Sequence, residues 1–200
     1  MPNLLFWYDF ASPYSYLSAM RIEKLCLDRG IKLVWRPFLL SPIFKKQGLE
    51  TSPFKLNRAK EAYLWKDVAR QCWQLGLPFE KPKAFPQNSL HAARVAYVGK
   101  NESWIGPFTR AVFHAHFALG QDISNKELLS ALLDELGVGG EATMKEAESA
   151  AVKIGVRADV AEAEAQGVFG APSFVTSSGE VFWGNDRLDD ALDASFGRIA

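Results

Sequence analysis

The chain has 200 residues, enough to bury one sizeable core. Hydrophobic residues make up 48% and charged residues 23%, the balance of an ordinary soluble globular domain. Lys+Arg and Asp+Glu both number 23, for a formal net charge of +0, so no basic excess argues for nucleic acid and no cationic cluster argues for an anionic membrane surface.

In chain order, Leu4-Leu5-Phe6-Trp7-Tyr8 is a continuous apolar run that suits a central strand buried on both faces. Asp9 interrupts it and no basic region precedes it, so the N-terminus does not read as a secretory signal. A loop follows at Asp9-Phe10-Ala11, with Ser12 as a good N-cap and Pro13 as a good first helical residue. The helix is expected to run to about Arg29, with Ala19, Ile22 and Cys26 on one face, and to stop at Gly30. Ile31, Leu33 and Trp35 then alternate with Lys32 and Arg36, which reads as a second strand, parallel to the first across one crossover.

From Leu40 to about Gly167 the pattern is helical almost throughout, punctuated by proline and glycine, with helices expected near 57–75, 88–99, 107–119, 125–135, 141–154 and 157–166. No stretch approaches the roughly 20 apolar residues of a membrane span. Strand character returns after Gly170-Ala171-Pro172, where Ser173–Thr176 and Glu180–Trp183 flank a Ser-Ser-Gly turn as a hairpin. A last helix starts at about Leu188. The order β-α-β, helices, β-β-α is that of an α/β thioredoxin fold: residues 1–40 and 168–200 form the sheet domain, and 41–167 a large all-helical insertion.

Three junctions carry candidate chemistry. The first strand ends where the first helix begins, at Ser12. Open α/β sheets bind ligands at the carboxyl ends of their strands, and a helix N-terminus favours negative charge. A thiolate held there would be stabilised, although Ser-Pro at a helix start also fits an ordinary N-cap. Gly170-Ala171-Pro172-Ser173 enters an apolar strand, and we expect its Ala171–Pro172 bond to be cis; a plain strand-entry proline is the alternative. Asn185 and Asp186 open the final helix and either cap it or bind the charged end of a ligand.

Asp9–Leu17, Arg36–Leu40, Phe169–Pro172 and Trp183–Leu188 together resemble the 2-hydroxychromene-2-carboxylate isomerases, close relatives of the kappa-class glutathione transferases. The resemblance spans nearly the whole chain. It implies glutathione as cofactor, Ser12 as the catalytic residue that activates its sulfur, and Ala171 with Pro172 as the backbone clamp for the tripeptide. It further implies that Asn185 and Asp186 take the γ-glutamyl end. Lys60, in Arg58-Ala59-Lys60-Glu61, matches a family lysine near the ligand, and Asn88 lies in a segment associated with the site. Pro53-Phe54-Lys55 stands in the stretch where relatives often carry an asparagine, and Lys55 there could reach a carboxylate; Ala171 is smaller than the leucine or valine often found before the proline. The partner is then a small aromatic substrate, in a homodimer such as relatives commonly form.

His91, His114 and His116 do not make a metal site, because His114 and His116 are two apart and point in different directions on a helix. Cys26 reads as a core thiol, and Cys72 has no partner nearby in sequence. Two isolated cysteines fit a reduced, cytoplasmic protein. Ser12-Pro13-Tyr14-Ser15 stands where a disulfide oxidoreductase needs C-x-x-C. The leading expectation is a glutathione-dependent isomerase of an aromatic 2-oxo acid, with Lys45, Lys46 or Lys55 holding the substrate carboxylate. The alternatives are a kappa-like transferase and a non-catalytic glutathione-binding module.

Overall fold

The computed structural model describes residues 1–197; residues 198–200, the end of the expected second sheet segment, lie outside the described residues. Strand β1 (Asn3–Tyr8) sits inside a four-stranded sheet of order β2-β1-β3-β4, with β2 at Lys32–Pro37, β3 at Ser173–Thr176 and β4 at Val181–Trp183. β1 runs parallel to β2, with Phe6 opposite Trp35, and antiparallel to β3, with Phe6 opposite Phe174. The β3–β4 hairpin is antiparallel, with Phe174 opposite Phe182.

β1 can occupy the interior because both its faces are apolar. Side chains alternate along a strand, so Leu4, Phe6 and Tyr8 enter one core and Trp7 the other. The larger core includes Leu17, Ile22, Cys26, Trp35 and Leu192. The smaller one joins Trp7 to Phe38, Ile43, Val160 and Val175.

Between β2 and β3 run seven helices: α3 (Leu40–Lys46), α4 (Arg58–Leu75), α5 (Leu90–Val98), α6 (Ile105–Phe117), α7 (Lys126–Glu135), α8 (Gly140–Ala147) and α9 (Ala150–Ala165). α6 brings Phe108, Phe113 and Phe117, all fully buried, against the rings of Tyr8, Phe10 and Tyr16. The sheet and the insertion therefore share one aromatic core. α9 covers the other side: the Arg36 guanidinium lies 4.4 Å over the Trp7 ring and pairs with Asp159 and Glu162 of α9.

The element order is the expected thioredoxin arrangement, and three details differ from the sequence reading. The first helix is two, α1 (Pro13–Ala19) and α2 (Ile22–Asp28), with a step at Met20–Arg21. Arg21 there turns its guanidinium to the backbone oxygen of Asn185, 2.9 Å away. A short α3 precedes the expected first insertion helix. The break expected between 154 and 157 falls instead at Glu148–Ser149, where the Ser149 hydroxyl accepts from Val152 N. Gly155, at that expected break, lies inside α9, and a side chain there would meet the Tyr97 ring at 2.1 Å. No helix among the described residues is long and apolar enough to cross a membrane.

Candidate active site

A cavity of about 1140 Å³ opens where β1 hands over to α1. Its walls come from the 9–14 loop and helix start, from α3, from the 47–57 loop with the start of α4, from residues 85–90, and from 169–171 with Trp183. Small-molecule sites run to about 1,000 Å³, so this cavity has room for two small molecules together.

Ser12 is at the floor, nearly buried. It is the N-cap of α1: its Oγ accepts from Ser15 N at 3.2 Å and donates to the Ala171 carbonyl at 3.0 Å. Pro13 occupies the first helical turn, where its missing N–H costs nothing. One hydroxyl thus joins the α1 N-terminus to the strand-entry segment across the cavity. The Ala171–Pro172 peptide bond is cis, as is Phe85–Pro86.

Of the residues singled out from sequence, Ser12, Lys60, Asn88 and Ala171 line this one cavity. Lys55, Pro172, Asn185 and Asp186 are not among its lining residues. Lys55 is paired with Glu61, at 3.2 Å. Pro172 is buried behind Ala171, and its carbonyl accepts from Gly184 N at 3.0 Å. Asp186 is exposed, 3.4 Å from Arg187. Its charge still reaches Tyr14, a cavity residue, and contributes to raising that phenol's pKa behind the larger effects of burial and of Asp67.

Asn185 is 5% exposed and its side chain is engaged on three sides. Oδ1 accepts from Ser18 Oγ at 2.9 Å and from Arg21 at 3.2 Å, and Nδ2 donates to Gln71 Oε1 at 2.7 Å. Gln71 in turn donates to Asp67, and Asp67 accepts from the Tyr14 hydroxyl. The amide thus latches the corner between β4 and the last helix, α10 (Leu188–Ala194), to α1 and α4. Asn185→Ala should strand Ser18 and Gln71 and lower unfolding stability by about 1–3 kcal/mol, measured by urea denaturation. A change below experimental error would show that the latch contributes nothing.

The remaining walls are aromatic and cationic. Phe44, Phe54, Tyr14, Tyr63, Phe85, Phe169 and Trp183 face the cavity, together with Lys45 and Lys60. Phe169 and Trp183 meet edge to face at 4.9 Å on its rim. Gly170 lies beneath that pair, and a side chain there would meet the Trp183 indole nitrogen at 2.3 Å. Among the described residues neither Lys45 nor Lys60 has a carboxylate partner, whereas Lys46 is 2.7 Å from Glu164.

Asp9 was missed as a site residue. Its carboxylate is 3% exposed and lines the cavity floor. Burial raises its pKa, while hydrogen bonds from Leu40 N, Ser89 Oγ and Ala11 N oppose the rise. The only signal in the sequence was the charge placed directly after a buried strand. The cysteines lie in the core, where burial pushes the Cys26 thiol up to about 12 and the Cys72 thiol up to about 11, so neither is a ready nucleophile. His116 is buried against Phe117, with its Nδ1 2.9 Å from the Phe10 carbonyl, and burial brings its pKa down to about 4.

The family model for the DsbA-like thioredoxin domain matches residues 3–195. The chain belongs to this family. Within it, the chain is 26% identical to a 2-hydroxychromene-2-carboxylate isomerase of Sphingobium xenophagum, over 92% of this chain and 93% of that protein. It is likewise 26% identical to glutathione S-transferase kappa 2 of Caenorhabditis elegans, over 96% of this chain and 92% of the other. A solved 2-hydroxychromene-2-carboxylate isomerase superposes with a TM-score of 0.87 at 27% identity, over 98% of this chain and 95% of that one. These relatives are named as an isomerase and a transferase.

Proposed function

We propose that the protein is a glutathione-dependent isomerase of an aromatic 2-oxo acid, of the type that interconverts a hydroxychromene carboxylate and its open-chain enone. The observation that carries this reading is a hydroxyl donor at the N-terminus of α1, on the floor of a cavity with aromatic walls and two unpaired lysines. A tripeptide with a thiol and two carboxylates calls for a donor at sulfur, a backbone edge for its amides and cations for its acids. Ser12, the Gly170–Ala171 backbone and Lys60 supply that set. The named isomerase and kappa-transferase relatives support the same reading.

When bound, glutathione would supply a thiolate able to add reversibly to the conjugated double bond of the substrate, which would let that bond rotate as a single bond. The residues of the chain do the rest. Ser12 Oγ, which donates to the Ala171 carbonyl, would be the donor for the sulfur, and the α1 N-terminus would add its partial positive charge. The Ala171 carbonyl would then be free to accept a peptide N–H. The aromatic walls hold the substrate ring in a water-poor space, where the same donors act more strongly.

Following substrate absorbance and free thiol in one cuvette tests the proposal. Interconversion at constant thiol supports it. Stoichiometric thiol loss with a stable thioether product would assign the chain to the transferases. Tight glutathione binding without turnover would make it a binding module.

The two unpaired lysines give a separable expectation. Lys45→Ala should raise KM for the aromatic acid about three- to fivefold and leave that for glutathione alone, and Lys60→Ala should do the reverse, as suits exposed charges worth up to about 1 kcal/mol each. Steady-state kinetics with each component varied distinguishes them, and equal effects on both constants would reject the assignment.

A further inference from the structure

We propose that Asp9 is a positioning residue that assembles the cavity by holding three of its walls on one buried carboxylate. Its Oδ2 accepts from Leu40 N at 2.8 Å, the first amide of α3. Its Oδ1 accepts from Ala11 N at 2.9 Å and from Ser89 Oγ at 2.6 Å. Its backbone oxygen accepts from Ser12 N at 2.9 Å. Asp9, Ala11, Ser12, Leu40 and Ser89 all line the cavity. One side chain therefore sets the distance between the Ser12 loop, the α3 wall and the α5 wall next to Asn88. Nothing else fixes the Leu40 amide within its own helix, because the first N–H groups of a helix have no intrahelical acceptor.

Burial raises the pKa of Asp9, and these three neutral donors, from the loop, α3 and α5, oppose the rise; no charged side chain contributes. Both carboxylate oxygens accept a backbone N–H, which is the pattern of the ionised form. Asp9→Asn cannot reproduce it. Whichever way the amide turns, its NH₂ faces either the Leu40 or the Ala11 N–H, and one of those bonds is lost.

Two measurements on the full chain test this. The first needs no ligand: amide hydrogen exchange in Asp9→Asn should speed up about tenfold at Leu40 or Ala11. Ser89→Ala should loosen only residues 88–92, and it keeps the test open should Asp9→Asn fail to fold. The second rests on the glutathione reading and uses S-methylglutathione, which has no thiol to titrate. Wild-type affinity should exceed that of Asp9→Asn about tenfold at neutral pH. That ratio should shrink towards one as pH falls through the range, above that of an ordinary carboxylate, in which Asp9 takes up its proton. A ratio that stays constant down to about pH 4, or unchanged exchange at both amides, overturns the proposal. If the wild type does not bind S-methylglutathione, the glutathione reading fails and exchange at Leu40 and Ala11 decides the role of Asp9.

Discussion

Under the proposed glutathione-dependent reading, Ser12→Ala is expected to fold normally and to lower isomerase turnover about ten- to a hundredfold. The substitution removes the acceptor for Ser15 N and the donor to the Ala171 carbonyl. Loss of an N-cap costs about 1 kcal/mol, which a chain with this core should survive. The larger effect falls on the bound thiol. A hydrogen bond to a charged acceptor is worth about 1.5–3 kcal/mol. It favours the thiolate, so losing it should raise the bound thiol's pKa by about one to two units. Titrating thiolate absorbance in both proteins gives that shift directly. The deficit in turnover should then close as pH is raised, because more thiolate forms without help from the hydroxyl. Equal pKa values in the two proteins would reduce Ser12 to a helix cap.

Phe113→Ala should carry the largest stability cost, about 3–5 kcal/mol. Phe113 is fully buried in α6, and its ring lies 5.1 Å from Phe10, 6.0 Å from Tyr8 and 6.3 Å from Tyr16. Those partners come from β1, the Ser12 loop and α1. The hole left behind would open between the sheet and the insertion, where rigid walls on both sides limit collapse. For a chain of this length the melting temperature should drop by roughly 6–20 °C. Calorimetry should show one transition moving as a whole, because the aromatic core is shared. A second transition left in place would mean that the helical insertion folds by itself.

Much of this architecture was legible in the sequence because it is local. The apolar run at Leu4–Tyr8, the Ser-Ser-Gly turn and the Ser12-Pro13 helix start each write their structure into a few adjacent residues. The cavity position followed, since it lies where the first strand meets a helix N-terminus. What sequence alone did not show depends on distant partners. Asp9 reads as a loop residue until Leu40 and Ser89, 31 and 80 positions away, are seen to donate to it. Asn185 reads as a cap or a ligand until Gln71, 114 positions away, takes its amide. Gly155 carries the chemistry of a breaker, and only the Tyr97 ring pressed against it explains a glycine inside a helix.

The crowding at Gly170 has a consequence for how this cavity changes over evolutionary or laboratory time. Any side chain at 170 collides with the Trp183 indole, so that position is closed to variation unless the rim aromatic moves with it. Ala171, its neighbour, lines the cavity and carries only a methyl group. Of these two neighbours, only Ala171 is open to enlargement by a single step, so a library at 171 samples changes in the size of this wall that a library at 170 cannot reach.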